Sequence, residues 1–419
     1  MKTAIRSFAW AKSNINNFTV FVLSLLVQMI LIGKYLDNDI VSRYALTAVD
    51  AADYANRAQI WKNEGFSLAF DDAYRMPGYP SLIFAMSLLF PNQAFLATKL
   101  FQMFGLALSA VIIKLILEKL ATTKLTILGT TLFILLPNWH FTPILLAESL
   151  TATCFIGLIF FLSRVSERGA TKIHILGITF LVAALTYLKP NNLLLIIPVL
   201  VFLYFKVNHG AIRSISFILA LFVLLMSPWI GFAKKSNPGF YGLTTNSGIN
   251  LYVGTGMIVS YDGGALSNAA LRWRVDPKNN PRDVVELSQG LSPLQVNQLF
   301  QDKAIQIWKE RPVQVFVYGL EKMLIAFGFK GNSPQDYVLG LFNLGALIAG
   351  MTLLRFPNFR IWGITLLSIF LVLAAQAVIF QADRRFIVPV FSPIAVINLT
   401  LVFSLFATYK GKLKTLSGK

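Results

Sequence analysis

The chain has 419 residues, of which 56% are hydrophobic and only 13% charged, with a formal net charge of +18. Soluble domains carry about 25% charged residues, so this composition and a mean hydropathy of +0.64 describe a membrane protein. The single cysteine, Cys154, excludes a disulfide framework or a Cys-rich metal site, and His140, His174 and His209 are too scattered for a His-based zinc site.

The N-terminal "MKTAIRSFAWAKSNINN" is basic, and the apolar run after it lacks a small-residue cleavage site, so it reads as a retained first helix. Apolar runs able to cross roughly 30 Å of hydrocarbon lie near 18–35, 95–118, 124–139, 144–163, 173–188, 190–206 and 212–233. They resume near 336–354, 361–380 and 386–408. "LKPNN" breaks the 173–206 stretch: Pro190 removes a backbone donor and biases Lys189 away from helix. The segment 312–330, "PVQVFVYGLEKMLIAFGFK", is ambiguous. As a span it would place Glu321 and Lys322 mid-bilayer at roughly 2.5–3.5 kcal/mol each. It would also put the basic tail outside, against the positive-inside rule, so an interfacial amphipathic helix is expected.

The expected architecture is an all-α polytopic membrane protein with ten spans, eleven if 312–330 crosses, and both termini cytoplasmic. Three regions follow: a transmembrane catalytic module at 1–234 with an outer loop at 36–94, an outer loop plus interfacial helix at 235–330, and C-terminal helices with a basic tail at 331–419. No fixed-period repeat or low-complexity segment is present. The Lys and Arg lie between apolar runs rather than on one soluble face. Topology and anionic headgroups account for the positive charge, and no nucleic-acid partner is expected.

On this topology the polar clusters fall on the outer side. Asp50 and Tyr54, four apart, share a helix face, and Asp53, Asp71 and Asp72 add carboxylates before the rigid turn "RMPGYP" at 75–80. Glu148, in "PILLAESLTATCF", is costly unless it faces protein or a water-filled interior. Lys189 stands at the outer rim, and residues 227–256 are rich in Gly, Asn, Ser and Thr, which suit binding of a polar ligand. Asp383-Arg384-Arg385 opens the last span with outside positive charges that suit an anion. Plainer readings accompany each cluster: solvated loops with balanced charge, an interhelical hydrogen bond for Glu148, snorkelling for Lys189, and a surface pair for Asp383. Together, carboxylates able to act as a base and cations able to hold phosphate suit group transfer from a phosphate leaving group. No P-loop, GxSxG elbow, dinucleotide fingerprint or HExxH is present.

The order of motifs then carries a resemblance. "DAADYANRA", "NEGFS" and "RMPGYP" are followed by "LLAESL" at 145–150, "ALTYLKPNNLLL" at 184–195, "SPWIGF…LTTNSGINLYVG" at 227–254 and "DRRFIVPVFSP" at 383–393. Over residues 18–408 this resembles the GT-C glycosyltransferase superfamily, specifically bacterial relatives of protein O-mannosyltransferases and lipid A aminoarabinose transferases. The resemblance implies a GT-C-like fold with short interfacial helices in the extracytoplasmic loops, in the bacterial cytoplasmic (inner) membrane. It implies a polyprenyl-phosphate-linked sugar as donor and a glycan, lipid or protein acceptor at the extracytoplasmic face, with transfer by inversion for cell-envelope glycosylation.

By the same resemblance Asp50 is the general base, with Asp53 in reserve, and Lys189, Arg385 and Arg75 bind the donor phosphate. Tyr54, Tyr79, Glu148, Asn246, Asn250 and Tyr252 are supporting or substrate-binding. No metal ligand and no cofactor is assigned, although a divalent cation is compatible with the pattern. Two positions depart from it. Lys189 replaces the usual Arg, exchanging a bidentate fork for a point charge, and Phe232 stands where relatives often carry Arg, with Lys234 and Lys235 just beyond. Other readings of the same residues are an O-antigen-type polysaccharide polymerase, which would rely on outer-loop arginines, and a lipid or sugar transporter, which would concentrate polar residues near the midplane. A membrane scaffold would leave so many costly polar groups unexplained.

Overall fold

Backbone amides and carbonyls cannot be left bare in hydrocarbon, and the apolar runs of this chain satisfy them as helices. A computed structural model describes residues 16–39, 48–136, 141–207, 210–255, 257–259, 271–273, 287–330, 334–380 and 384–417. In chain order the helices are α1 (Asn17–Ile32), α2 (Ala48–Glu64), the single turn α3 (Phe66–Ala69), α4 (Gly78–Leu89), α5 (Ala94–Leu120), α6 (Thr123–Leu135), α7 (Glu148–Arg168) and α8 (Lys172–Leu188). A 3-10 turn at Pro190–Leu195 leads to α9 (Ile196–Lys206), then α10 (Ala211–Ser236), α11 (Ser247–Gly254), α12 (Pro293–Glu310), α13 (Pro312–Ala326), α14 (Pro334–Leu353), α15 (Arg360–Ile379) and α16 (Arg384–Ser417). Between α11 and α12, β1 (Met257–Val259) pairs antiparallel with β2 (Leu271–Trp273), a small hairpin that an all-α expectation omits.

Helices α1, α5, α7, α10, α14, α15 and α16 are long and apolar enough to cross a membrane. The other three expected spans are helical but short. The 13 residues of α6 reach about 20 Å at 1.5 Å per residue, less than the roughly 30 Å hydrocarbon core. The segment 173–206 is divided where expected, with Lys189 extended at φ −150° between α8 and the 3-10 turn. The apolar helix α4 lies inside what the sequence presented as a polar outer loop.

The principal core is formed by the inward faces of α5, α7, α8, α15 and α16, with Phe327, Phe370 and Phe391 grouped around one point (centroids 4.9 to 6.1 Å apart). Pro228, inside α10, cannot donate to the carbonyl one turn back. The freed oxygen of Leu224 instead accepts from Ser227 Oγ at 2.8 Å, and the neighbouring oxygen of Leu225 accepts from Tyr187 Oη at 3.0 Å. The second bond also ties α10 to α8.

Helix α13, the segment expected at the interface, gives both of its charged residues partners. Its apolar stripe Val313, Phe316, Val317, Leu320 and Leu324 is exposed, while Val315, Gly319, Lys322 and Ala326 face inward. Lys322 donates to backbone carbonyls inside the protein, and Glu321 pairs with Lys330. Each therefore has a partner within the protein. Its 15 residues reach about 22 Å.

At the start of α4, an added Cβ on Gly78 would sit 2.4 Å from the carbonyl oxygen of Tyr187 and 2.9 Å from Leu188 N. Only a hydrogen allows this approach, and it sets the end of α8, hence Lys189, against the first outer-loop region. Gly78→Ala is expected to force these backbones apart, costing about 1–3 kcal/mol and lowering the thermal unfolding midpoint in detergent.

Candidate active site

The site begins with helical spacing. In α2, residues 50, 53, 54 and 57 recur every three or four positions, so Asp50, Asp53, Tyr54 and Arg57 share one face. That face meets the turn at 71–76. Arg57, 7% exposed, grips Asp72 with both ends of its guanidinium (2.9 and 2.7 Å). It also donates to Asp53 Oδ1 at 3.0 Å and to the carbonyl of Ala69 at 2.8 Å. Arg75 in turn donates to Asp53 Oδ2 at 2.8 Å and to Asp50 Oδ1. The result is a line of alternating charge, Asp72–Arg57–Asp53–Arg75–Asp50.

Aromatic rings close around this line. The Arg75 guanidinium lies 5.4 Å from the ring centre of Tyr54 and 5.1 Å from that of Tyr74, within cation–π range. Burial, the largest influence on Arg75, works against its charge. Tyr54, Asp50, Tyr74 and Asp53 outweigh burial, and its pKa lies above the ordinary arginine value. The same holds for Arg57, where burial is opposed mainly by Asp72 and Asp53. Burial pushes the Tyr74 phenol up, keeping it a neutral hydroxyl.

The turn itself is held from outside. Asp72 Oδ1 accepts from Tyr74 N at 2.9 Å, and Ala73 adopts a left-handed φ of 49°, rarely populated by a residue with a Cβ. The segment after α10 secures it. Asn237 Nδ2 donates to Asp71 O at 2.8 Å, Thr245 Oγ1 to Asp72 O at 2.8 Å and Thr245 N to Ala73 O at 3.0 Å.

A second wall comes from α7 and α8. Glu148, 1% exposed, opens α7, and its Oε1 accepts from Lys189 Nζ at 2.6 Å. The segment before Glu148 is set by buried Gln102, which donates to the carbonyls of Thr142 and Ile144, each at 3.0 Å. Gln102 Oε1 accepts from Tyr79 Oη at 3.0 Å, and Tyr79 packs edge-on against Tyr54 with centroids 5.0 Å apart. The first and second walls are thus keyed together beneath the site. Thr244, Asn246, Ile249, Asn250 and Val253, with Phe380 after α15, complete a cavity of about 240 Å³.

Of the residues singled out from sequence, Asp50, Tyr54, Arg75, Glu148, Lys189, Asn246 and Asn250 line this one cavity. Asp53 links the two arginines behind Asp50. Arg75, expected at a phosphate, has its guanidinium engaged by Asp50 and Asp53. Tyr79 and Tyr252, only 0% and 1% exposed, lie outside the cavity lining: Tyr79 anchors Gln102, and Tyr252 packs on Phe300 (centroids 5.2 Å). Arg385 belongs to the first turn of α16, but its side chain lies outside the described residues. Asp72, read as a solvated charge, is the bidentate partner of Arg57. Arg57, Tyr74, Thr244 and Asn191 were not singled out. Arg57 lies within the quoted "DAADYANRA" four residues after Asp53, but its partner fifteen residues on leaves no local signal. Among the described residues no group of three or more His, Cys, Asp or Glu is placed to hold a metal ion.

Removing one partner of a buried ion pair strands the other. Arg57→Met is therefore expected to destabilise the protein by about 3–5 kcal/mol, read as a lower thermal midpoint in detergent. Arg57→Lys, which keeps the charge but loses the fork, should fall between.

By sequence, no protein-family model and no curated protein matches the chain. By structure, 97% of it superposes on 52% of the Archaeoglobus fulgidus oligosaccharyltransferase in its apo form, with a TM-score of 0.56 and 11% identity. The chain thus spans about half the length of that protein. ArnT from Cupriavidus metallidurans is a looser likeness, with a TM-score of 0.39 and 11% identity over 91% of this chain and 75% of that one, too low to bear on the fold. With its apolar helices and its likeness to the archaeal enzyme, the chain is a multi-pass membrane protein with a GT-C-like fold.

Proposed function

We propose that this protein is a glycosyltransferase that moves a sugar from a polyprenyl-phosphate-linked donor to an acceptor hydroxyl, with inversion at the anomeric carbon. The observation that carries this reading is a single cavity that presents the Asp50 carboxylate from α2 and the Lys189 ammonium from the residue that follows α8. The fold shared with an oligosaccharyltransferase supports it. The site is assigned to the extracytoplasmic face of a bacterial cytoplasmic membrane, where a lipid can deliver an activated sugar, and the product to the cell envelope.

In the proposed step the acceptor oxygen forms a bond to the anomeric carbon as the bond from that carbon to the phosphate oxygen breaks. Asp50 takes the hydroxyl proton, and the electron pair of the broken bond leaves on the lipid phosphate. Arg75 fixes the orientation of the Asp50 carboxylate, a role its two ion pairs suit better than phosphate binding. Lys189, with Arg385 as the second cation, stabilises the departing phosphate. Glu148 holds Lys189 in place, and Asn246 and Asn250, in the segment this reading gives to the acceptor, offer amides to its hydroxyls. The reading assigns no step to a metal ion.

General-base assistance contributes roughly 10²- to 10⁴-fold. Asp50→Asn should lower kcat by that order in a reconstituted assay with a panel of polyprenyl-phosphate sugars, scored by product mass. Full transfer by this variant would sink the assignment. Lys189→Met should raise the donor KM roughly tenfold, the loss of about one charge-assisted hydrogen bond, with Lys189→Arg closer to wild type.

A further inference from the structure

One buried charge has no part in that step. Lys322, on the inward face of α13, is only 3% exposed. Its ammonium donates to the carbonyl oxygens of Gly254, of Phe380 at 2.8 Å and of Val378 at 3.3 Å. These three oxygens belong to two chain ends that form one wall of the cavity. Gly254 is the last residue of α11 and follows Val253, while Phe380 caps α15; both Val253 and Phe380 line the cavity.

The joint is tight as well as charged. An added Cβ on Gly254 would lie 2.3 Å from the carbonyl oxygen of Ile379, and one on Gly319 would lie 2.7 Å from Val378 Cγ1 and 2.9 Å from Val378 O. Small residues thus let α11 and α13 approach the C-terminal end of α15 closely. Carbonyls at a helix C-terminus lack intrahelical partners, so a hydrogen-bond donor placed among them satisfies oxygens the helices leave over. A single ammonium satisfies oxygens from both ends at once. Across α11 from this joint, Gly248 N donates to Asn297 Oδ1 at 2.7 Å, fixing the start of the helix to α12. At its other end Tyr252 packs on Phe300, and Lys322 adds a bond to the last carbonyl.

We infer that Lys322 is a positioning residue: it clamps the ends of α11 and α15 together and thereby sets the wall of Asn250, Val253 and Phe380 that receives the acceptor. The inference rests on the glycosyl-transfer reading for the word acceptor, but the clamp itself does not. An apolar replacement would leave three carbonyls unpaired, and the wall would relax away from Asp50. Arginine can still donate to several carbonyls, although its fork needs more room.

Two measurements on the full-length protein in nanodiscs test this. By hydrogen exchange, Lys322→Met should speed deuterium uptake in peptides covering 247–255 and leave those covering 172–188 unchanged. In the transfer assay it should raise the acceptor KM roughly tenfold, as expected for loss of a charge-assisted hydrogen bond, with the donor KM unchanged, kcat within about twofold by the same reasoning, and partial rescue by Lys322→Arg. Gly254→Ala, which pushes on the same joint without touching the lysine, should give the same exchange and acceptor-KM signature. Unchanged exchange at 247–255 in Lys322→Met overturns the clamp. Faster exchange with an unchanged acceptor KM, or with kcat and both KM values altered alike, overturns the positioning role. Absence of transfer by the wild-type protein with every donor would instead count against the glycosyl-transfer reading, while the exchange result would still decide the clamp.

Discussion

The alternating line of charge from Asp72 to Asp50 is the constraint on which the cavity depends. Each guanidinium in it touches two carboxylates, so loss of Arg57 strands Asp72 and loss of Arg75 strands Asp50 in a partly buried setting. This coupling converts the inner anchor, where Arg57 is almost fully buried, into a fixed position for Asp50 at the cavity surface. A carboxylate held this way gives up freedom of rotation and keeps a defined direction toward the cavity, which the proposed role as a base requires. The aromatic faces of Tyr54 and Tyr74 reinforce it by covering Arg75.

The polar groups of the bundle follow the same rule as those of the cavity. At several places a side chain takes up a carbonyl near a proline or a helix end: Ser227 and Tyr187 around Pro228, Gln102 before Glu148, and Lys322 at the ends of α11 and α15. In hydrocarbon there is no water to fill such gaps. The side chains that fill them therefore double as spacers that set how far apart the helix ends stand, and the walls of the cavity are made of those ends.

Much of this was legible in the sequence, and the exceptions have physical causes. The apolar runs gave the helices because in lipid the run length and the helix are nearly the same statement. The 50–57 spacing placed two carboxylates and a tyrosine together because helical period is local information. What stayed hidden was long-range or masked by composition. Nothing near Asp72 announced that Arg57 would turn back to meet it. Tyr79 and Tyr252 have the residue type of ligand-binding side chains, yet their surroundings are packed. The apolar helix at 78–89 was obscured by the polar residues on both sides, and Lys322 looked like a cost because the carbonyls that receive it come from residues 68 and 58 positions away.

The stitches from Asn237 and Thr245 to the 71–73 turn span 166 and 173 residues of chain. During synthesis, the stretch carrying Asp50 and Arg75 leaves the ribosome well before α10 and the residues after it. The left-handed backbone at Ala73 has only the Asp72–Tyr74 and Ala73–Phe70 bonds to hold it locally, and contacts this distant in sequence form only after the intervening helices have been laid down. The cavity wall built on this turn is thus completed late, once α10 is in place. A growing chain carries its acidic loop through membrane insertion before the cavity around it has been assembled.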